Sequence, residues 1–164
     1  MLTAFNPLDF LELARRLHSD VSCRGVEEAA ARTSISRAYY AVFLSLREFI
    51  RKRIAQVCQV WIVDCYSDVV RTGLAHMCVK DLIGVCDKYL GKLYGKLFLL
   101  RKRSDYELEA VLRRKDVEEA LAIAGRLAEQ YVYLGDMLDA EKVTSIVLGY
   151  YERLKKSRES SPYL

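Results

Sequence analysis

The sequence is short of breaks. Only two of its 164 residues are proline, Pro7 and Pro162, so the long stretch between them lacks the residue that most strongly interrupts a helix. It is also short of apolar runs: Val60 to Val63 and Leu97 to Leu100 fall far below the roughly 20 residues needed to span a bilayer, which excludes a transmembrane helix. The N-terminus, Met-Leu-Thr-Ala-Phe-Asn-Pro, has no basic stretch followed by an apolar one, so no secretory signal is expected and we place the chain in the cytoplasm. Asparagine occurs once (Asn6) and glutamine three times (Gln56, Gln59, Gln130). Such depletion of thermolabile amides is a hyperthermophile trend, and intracellular disulfides occur in such organisms, so a thermophilic archaeal source with one internal disulfide fits the composition. Five cysteines are present (Cys23, Cys58, Cys65, Cys78, Cys86), yet none form the C-x-x-C pairs that tetrahedral zinc sites usually use. Cys65, His76, Cys78 and Cys86 around one metal is the alternative to ordinary core filling, and core filling is the reading we adopt. We expect neither metal nor cofactor.

What is present is a mixture of 52% hydrophobic and 29% charged residues that alternate along the chain, enough for one globular domain over residues 1–156. A Ser-rich tail, 157–164, is expected to be flexible. The formal net charge of +4 permits a polyanionic partner without demanding one.

Apolar periodicity predicts helices. Asn6 as N-cap, Pro7 at the first helical position and Asp9 in the first turn open the first, with Leu8, Leu11, Ala14 and Leu17 inward. A break from Cys23 to Gly25 precedes a long second helix, about 26–53, with a stripe at Ile35, Ala38, Tyr39, Val42, Leu46, Phe49 and Ile50. Residues 54–66 contain β-formers but no strand partner exists elsewhere, so they read as a helix end and a packed connection. Ser67 and Asp68 then cap a third helix, a fourth covers about 87–101, and Asp116 with Glu119 opens a fifth at capping-box spacing. Asp139 opens a sixth over 139–156. The fold expected is all-α, an antiparallel up-and-down bundle of five to six helices without a sheet.

Several residues invite chemistry. Lys88, Lys92 and Lys96 recur every four residues on one face that leads to Arg101 and Arg103, which is either a phosphate-tracking stripe or a solvated helix face. Tyr40 can stack on a base, or serve as a bundle-facing or interface residue beside a core Tyr39. Arg51-Lys52-Arg53 reads as a solvated helix end and Arg113-Arg114-Lys115 as a basic turn. Gly91 and Gly95 have small-xxx-small spacing, which the close approach of another helix would explain.

Two segments carry a family resemblance. Ser36-Arg37-Ala38-Tyr39-Tyr40-Ala41-Val42-Phe43 looks like the second-helix signature of the HEPN family (higher eukaryote and prokaryote nucleotide binding). Leu100-Arg101-Lys102-Arg103-Ser104-Asp105-Tyr106 is similar to the Arg-x-x-Ala-Asp-Tyr motif of an uncharacterised branch, with Ser104 in the alanine position. The resemblance covers residues 8–134 and implies a helical bundle, commonly a homodimer, that binds RNA or nucleotides. It also implies, for some members, a ribonuclease toxin paired with a minimal nucleotidyltransferase. Catalytic members cleave RNA without metal through Arg-x(4-6)-His, in which histidine takes the 2′-hydroxyl proton and arginine steadies the phosphate. Here Arg101 stands where that arginine would, but no histidine follows. The resemblance then gives Arg101 to phosphate, Asp105 to orienting Arg101 or Tyr106, and Tyr106 to the histidine's place, although a phenol with an ordinary pKa of about 10 is a poor base at neutral pH. An Arg-x4-His does occur at Arg71 and His76, but with 16 arginines and two histidines chance supplies such a pair about as often as not. His76 is read first as a structural histidine, then as a catalytic partner of Arg71 or a polar interface contact. The competing reading of the whole chain is a non-catalytic helical interaction module that dimerises and binds a nucleotidyltransferase-type partner, with Arg101 and Asp105 as a structural ion pair.

Overall fold

The computed structural model describes residues 5–20 and 25–160. Its α-helices are α1 (Asp9–Ser19), α2 (Glu27–Val57), α3 (Val60–Val69), α4 (Ala75–Cys86), α5 (Lys88–Tyr106), α6 (Arg114–Gln130) and α7 (Ala140–Glu159), with a 3-10 helix at Tyr131–Met137. Among the described residues there is no strand, so the protein is all-α.

The count is seven rather than five to six, and the extra helix is α3. Its β-branched residues lose rotamer freedom in a helix, a cost of only some tenths of a kcal/mol each. Burial of Ile62, Cys65, Tyr66 and Val69 outweighs that cost. Ser67 and Asp68 therefore belong to α3, where the Ser67 hydroxyl donates to the Val63 carbonyl at 2.8 Å. The turn into α4 is held instead by Thr72, which donates to the Val69 carbonyl and accepts from the Leu74 N–H.

Other boundaries move for equally local reasons. The Asn6 side chain accepts from the Leu8 N–H, as expected of a cap, and Gly25 takes φ +88°, a conformation glycine adopts at little cost. Asp87 caps α5 by accepting from the Tyr89 and Leu90 N–H groups at 2.7 and 2.9 Å. That helix does not stop at Arg101 but continues to Tyr106, so Ser104, Asp105 and Tyr106 form its last turn. Asp116 accepts from the Arg113 N–H at 2.7 Å from inside the first turn of α6, so the helix starts ahead of it. Arg51-Lys52-Arg53 is not a helix end, because α2 runs on to Val57. Asp139 caps α7 as expected, and α7 keeps residues 157–159 helical. Cys23, Pro162 and the rest of the tail from 161 lie outside the described residues.

The chain divides into two compact units, Met1–Ser45 with Lys92–Tyr131, and Leu46–Gly91 with Val132–Leu164. In the first, Ser34 on α2 donates to the Ala14 carbonyl on α1 while Arg37 lies over Phe10. Along α2 and α5, Ser36 meets Asp105 while Tyr39 meets Tyr94. Arg103 and Lys96 of α5 pair with Asp116 and Glu119 of α6, and His18 of α1 approaches Glu118. Numbers rise on one helix as they fall on its neighbour at each of the first three of these pairings, so α1, the start of α2, α5 and α6 form an up-and-down arrangement. Leu11, Ile35, Tyr39, Val42, Leu97, Val117 and Leu127 are buried in this unit.

In the second unit α7 packs on α3 and α4. Buried tyrosines tie the helices of this unit: Tyr150 of α7 donates to Asp81 of α4 at 2.6 Å, and Tyr66 of α3 to the Arg47 carbonyl of α2 at 3.1 Å. Burial, reinforced by the hydrogen bond to Asp81, pushes the Tyr150 phenol well above its ordinary range.

Gly91 also has a use here. A Cβ on it would stand 2.6 Å from the Cα of Gly84, so α4 and α5 approach too closely there for any side chain. Gly91→Ala gains about 1 kcal/mol of helix propensity but meets backbone, and overpacking of this kind costs about 1–3 kcal/mol. The expected result is a net loss of stability in chemical denaturation. Gly84→Ala, whose own Cβ would meet nothing within 4 Å, should be neutral or stabilising in the same assay.

Candidate functional site

The two motif segments meet inside the first unit. The Ser36 to Tyr40 stretch of α2 lies against the last turns of α5, and the meeting point is the guanidinium of Arg101, which is only 7% exposed. Nη2 donates to the Tyr40 hydroxyl at 2.8 Å and to the Tyr106 hydroxyl at 2.9 Å. The guanidinium carbon lies 5.3 Å from the Tyr40 ring centre and 4.8 Å from that of Tyr106, so both rings also offer it their faces. Asp105 Oδ2 is 2.8 Å from Nε, but off the line of its N–H, so the contact is an ion pair and the buried Nε–H has no hydrogen-bond acceptor.

Burial alone would make Arg101 easier to deprotonate. The hydrogen bond to Tyr106 and the proximity of Tyr40 and Asp105 more than offset it and hold the side chain as a cation.

Asp105 is tied down in turn. Ser36 donates to Oδ2 at 3.3 Å. The Ser104 hydroxyl lies 3.2 Å from Oδ1 and 2.9 Å from the Arg101 carbonyl, and its single proton serves one of them at a time. Beneath the site Tyr39 is fully buried, shares a 2.8 Å hydrogen bond with Tyr94 and packs on Phe43 and Phe98. Burial drives its phenol far above the ordinary range, against the pull of Tyr94 and Arg101. It is a core residue, while half-buried Tyr40 faces Arg101.

The residue that sequence reading missed is Arg32. Its Nη1 donates to the carbonyls of Ser104 and Glu107 at 2.9 and 3.2 Å, and its Nη2 to those of Leu108 and Ala110 at 3.2 and 2.7 Å. Its Nε is held by Glu28 at 2.9 Å. A helix leaves its last carbonyls unsatisfied, and here a guanidinium from another helix satisfies that of Ser104, complements the dipole and ties down the segment that leaves the helix. No sequence spacing announces this, because the partners are backbone.

The other candidates lie apart from Arg101 in role. Arg103 spends its guanidinium on the Val111 carbonyl at 3.0 Å and on Asp116, at one side of a hollow of about 310 Å³ that Arg113 and Lys115 also line. Lys88 and Lys92 are exposed, while Lys96 is engaged by Glu119. Two of the three members of the lysine row, Lys88 and Lys92, are thus unpaired by any described carboxylate. Arg71, exposed, and His76, half-buried at the start of α4, belong to the second unit. Among the described residues, no group of three or more His, Cys, Asp or Glu is arranged to hold a metal, and Cys58, Cys65, Cys78 and Cys86 are free thiols.

No family model matches the chain and no solved structure is similar to it. It is 33% identical over 121 residues, 70% of this chain and 71% of the relative, to the uncharacterised protein MJ0628 of Methanocaldococcus jannaschii. The chain belongs to that protein's family. The family's relative carries no stated activity, so function has to be argued from the site described above.

Two outcomes follow. Arg32→Met removes every bond to the carbonyls while keeping much of the side-chain volume, and should lower unfolding stability by about 2–4 kcal/mol, read from urea melts. Cys78 is fully buried and its thiol is pushed up to about 12, chiefly by burial. It should therefore resist iodoacetamide at pH 8 in the native protein and react once denaturant opens the second unit.

Proposed function

We propose that the protein is a HEPN-like RNA- or nucleotide-binding protein whose Arg101 contacts phosphate. The observation that carries this reading is the convergence of the two motif segments on one buried arginine, flanked by two tyrosine hydroxyls. Each hydroxyl accepts from Arg101, so each keeps its own proton to donate outward. A guanidinium with two phenolic donors beside it is a set of hydrogen-bond donors, which suits phosphate oxygens. The basic hollow at Arg103, Arg113 and Lys115, with exposed Lys92, supplies further positive charge for a longer chain of phosphates.

Binding is better supported than cleavage. Among the described residues, the side chains gathered round Arg101 are those of Tyr39, Tyr40, Asp105 and Tyr106, and no histidine stands with them. In a ribonuclease activity Tyr106 would serve as a hydroxyl donor, and the base would come from elsewhere. On the family resemblance alone, the reading extends to a homodimer in the cytoplasm that works with a small nucleotidyltransferase as a toxin–antitoxin pair.

A second reading, the non-catalytic interaction module, draws on the depth of Arg101: at 7% exposure its bond to Tyr40, with the Ser36 bond to its ion-pair partner Asp105, also serves to fix α5 against α2. Fluorescence anisotropy with single-stranded oligoribonucleotides separates the two. Arg101→Met should weaken binding at least about tenfold, the worth of one charge-assisted hydrogen bond, while Arg71→Met leaves it unchanged. Any RNA cleavage should vanish in Arg101→Met and survive in His76→Gln. A wild-type protein that binds neither RNA nor nucleotides leaves the interaction module as the function.

A further inference from the structure

Arg101 is not the only guanidinium at Tyr40. Arg37, one turn earlier on α2, lies with its guanidinium carbon 5.5 Å from the Tyr40 ring centre and 4.8 Å from that of Phe10. Stacking uses the faces of a guanidinium and leaves its edge for hydrogen bonds. On that edge the Nε is buried and has no acceptor, as is the Nε of Arg101. The local charge is unbalanced too. Two guanidinium groups share one aromatic ring, and Asp105 is the one carboxylate that pairs with either among the described residues. Like charges held close in a partly buried place repel, and buried charged donors without acceptors are costly. An anion bound by the two cations relieves the repulsion.

We propose that Arg37 and Arg101, whose guanidinium carbons both lie over the Tyr40 ring, form a two-arginine site for the phosphoryl groups of a ligand that carries more than one, either a free polyphosphate such as a nucleotide bears or successive phosphates of an RNA strand. The proposal rests on the phosphate-contacting reading of Arg101 and adds Arg37 as a second binding residue that no motif logic assigned. Phe10 and Tyr40 act as the clamp that holds the Arg37 plane, so its fork is ordered before the ligand arrives and little rotamer freedom is lost on binding. Lysine in the same place keeps the charge but not the fork.

The test uses the intact chain with two probes, inorganic pyrophosphate followed by thermal unfolding and a single-stranded oligoribonucleotide followed by anisotropy at several salt concentrations. Pyrophosphate should raise the wild-type midpoint, and Arg37→Gln should abolish the shift. For the oligoribonucleotide, Arg37→Gln should weaken binding about tenfold and reduce the log-log salt slope by about 0.7, the contribution of one phosphate contact on a single strand. Should Arg37→Gln fail to fold, Arg37→Lys, which retains stem and charge, is expected to fold and to lose most of the pyrophosphate shift. A response to pyrophosphate that depends on Arg37, without RNA binding, supports the site and identifies the free polyphosphate as its ligand. Folded Arg37 variants with an unchanged shift and salt slope, beside an Arg101→Met variant that has lost binding, overturn the role of Arg37 and leave that of Arg101 standing. No response of wild type to either probe overturns both.

Discussion

The grip of Arg32 on the Ser104 carbonyl in the last turn of α5 and on three carbonyls of the segment that follows it is the contact on which the site depends. Without it the exit from α5 would present unsatisfied acceptors to a partly buried environment, and a helix end in that condition frays. That last turn carries Asp105 and Tyr106, and the carbonyl of Ser104 is among those held. One side chain on α2 thus fixes the position of residues about 70 positions later in the sequence. The Glu28 carboxylate one turn earlier on the same helix holds its Nε and so its orientation. Because Arg32, Ser36, Arg37 and Tyr40 stand on the same part of α2, the residue that terminates α5 and the residues that meet its arginine cannot move independently.

Arg101 presents the opposite problem, a charge rather than an acceptor brought out of water. Desolvating a guanidinium costs several kcal/mol, and one carboxylate in a partly aqueous setting returns only part of that. The remainder is supplied by the two tyrosine hydroxyls on Nη2 and by the faces of the same two rings. Removing one of these partners leaves the others in place but the charge undercompensated, which is why loss of a partner is costlier than the net worth of the contact. An arrangement that only stabilised the fold would be served as well by leucine at this position, since well-packed apolar replacements of buried ion pairs are often neutral or better.

Much of this was legible in the sequence, and what was not has physical causes. The all-α class followed from period 3.6 stripes with no proline to interrupt them, and Ser36 to Tyr40 and Arg101 to Tyr106 stood out as motifs before any contact was known. The helix α3 was hidden because Val60, Ile62 and Val63 prefer strands locally, whereas burial of Ile62, Cys65 and Tyr66 decides the outcome and is not a local property. The end of α5 was misplaced because its stop signal is Arg32, distant in sequence. Gly91 was noticed for its spacing, but only the approach of Gly84 explains why it carries no side chain. Ser34, a buried polar residue on α2, gave no signal at all, since it serves a carbonyl on α1.

The direction of the hydrogen bonds bears on whether such a site holds a ligand or transforms it. A general base must have a lone pair free to take a proton. The Asp105 oxygens are occupied, Oδ2 by Ser36 and the charge of Arg101 and Oδ1 within reach of Ser104. The Tyr40 and Tyr106 oxygens each accept from Nη2, which likewise draws their lone pairs inward and turns their protons outward. Groups that face a ligand with protons, on a cation that stays charged, lower the energy of an anion already formed. They do little to generate a nucleophile. Chemistry at this site would therefore need a base brought by the ligand or by a partner, whereas recognition of phosphate needs nothing beyond the residues already in place.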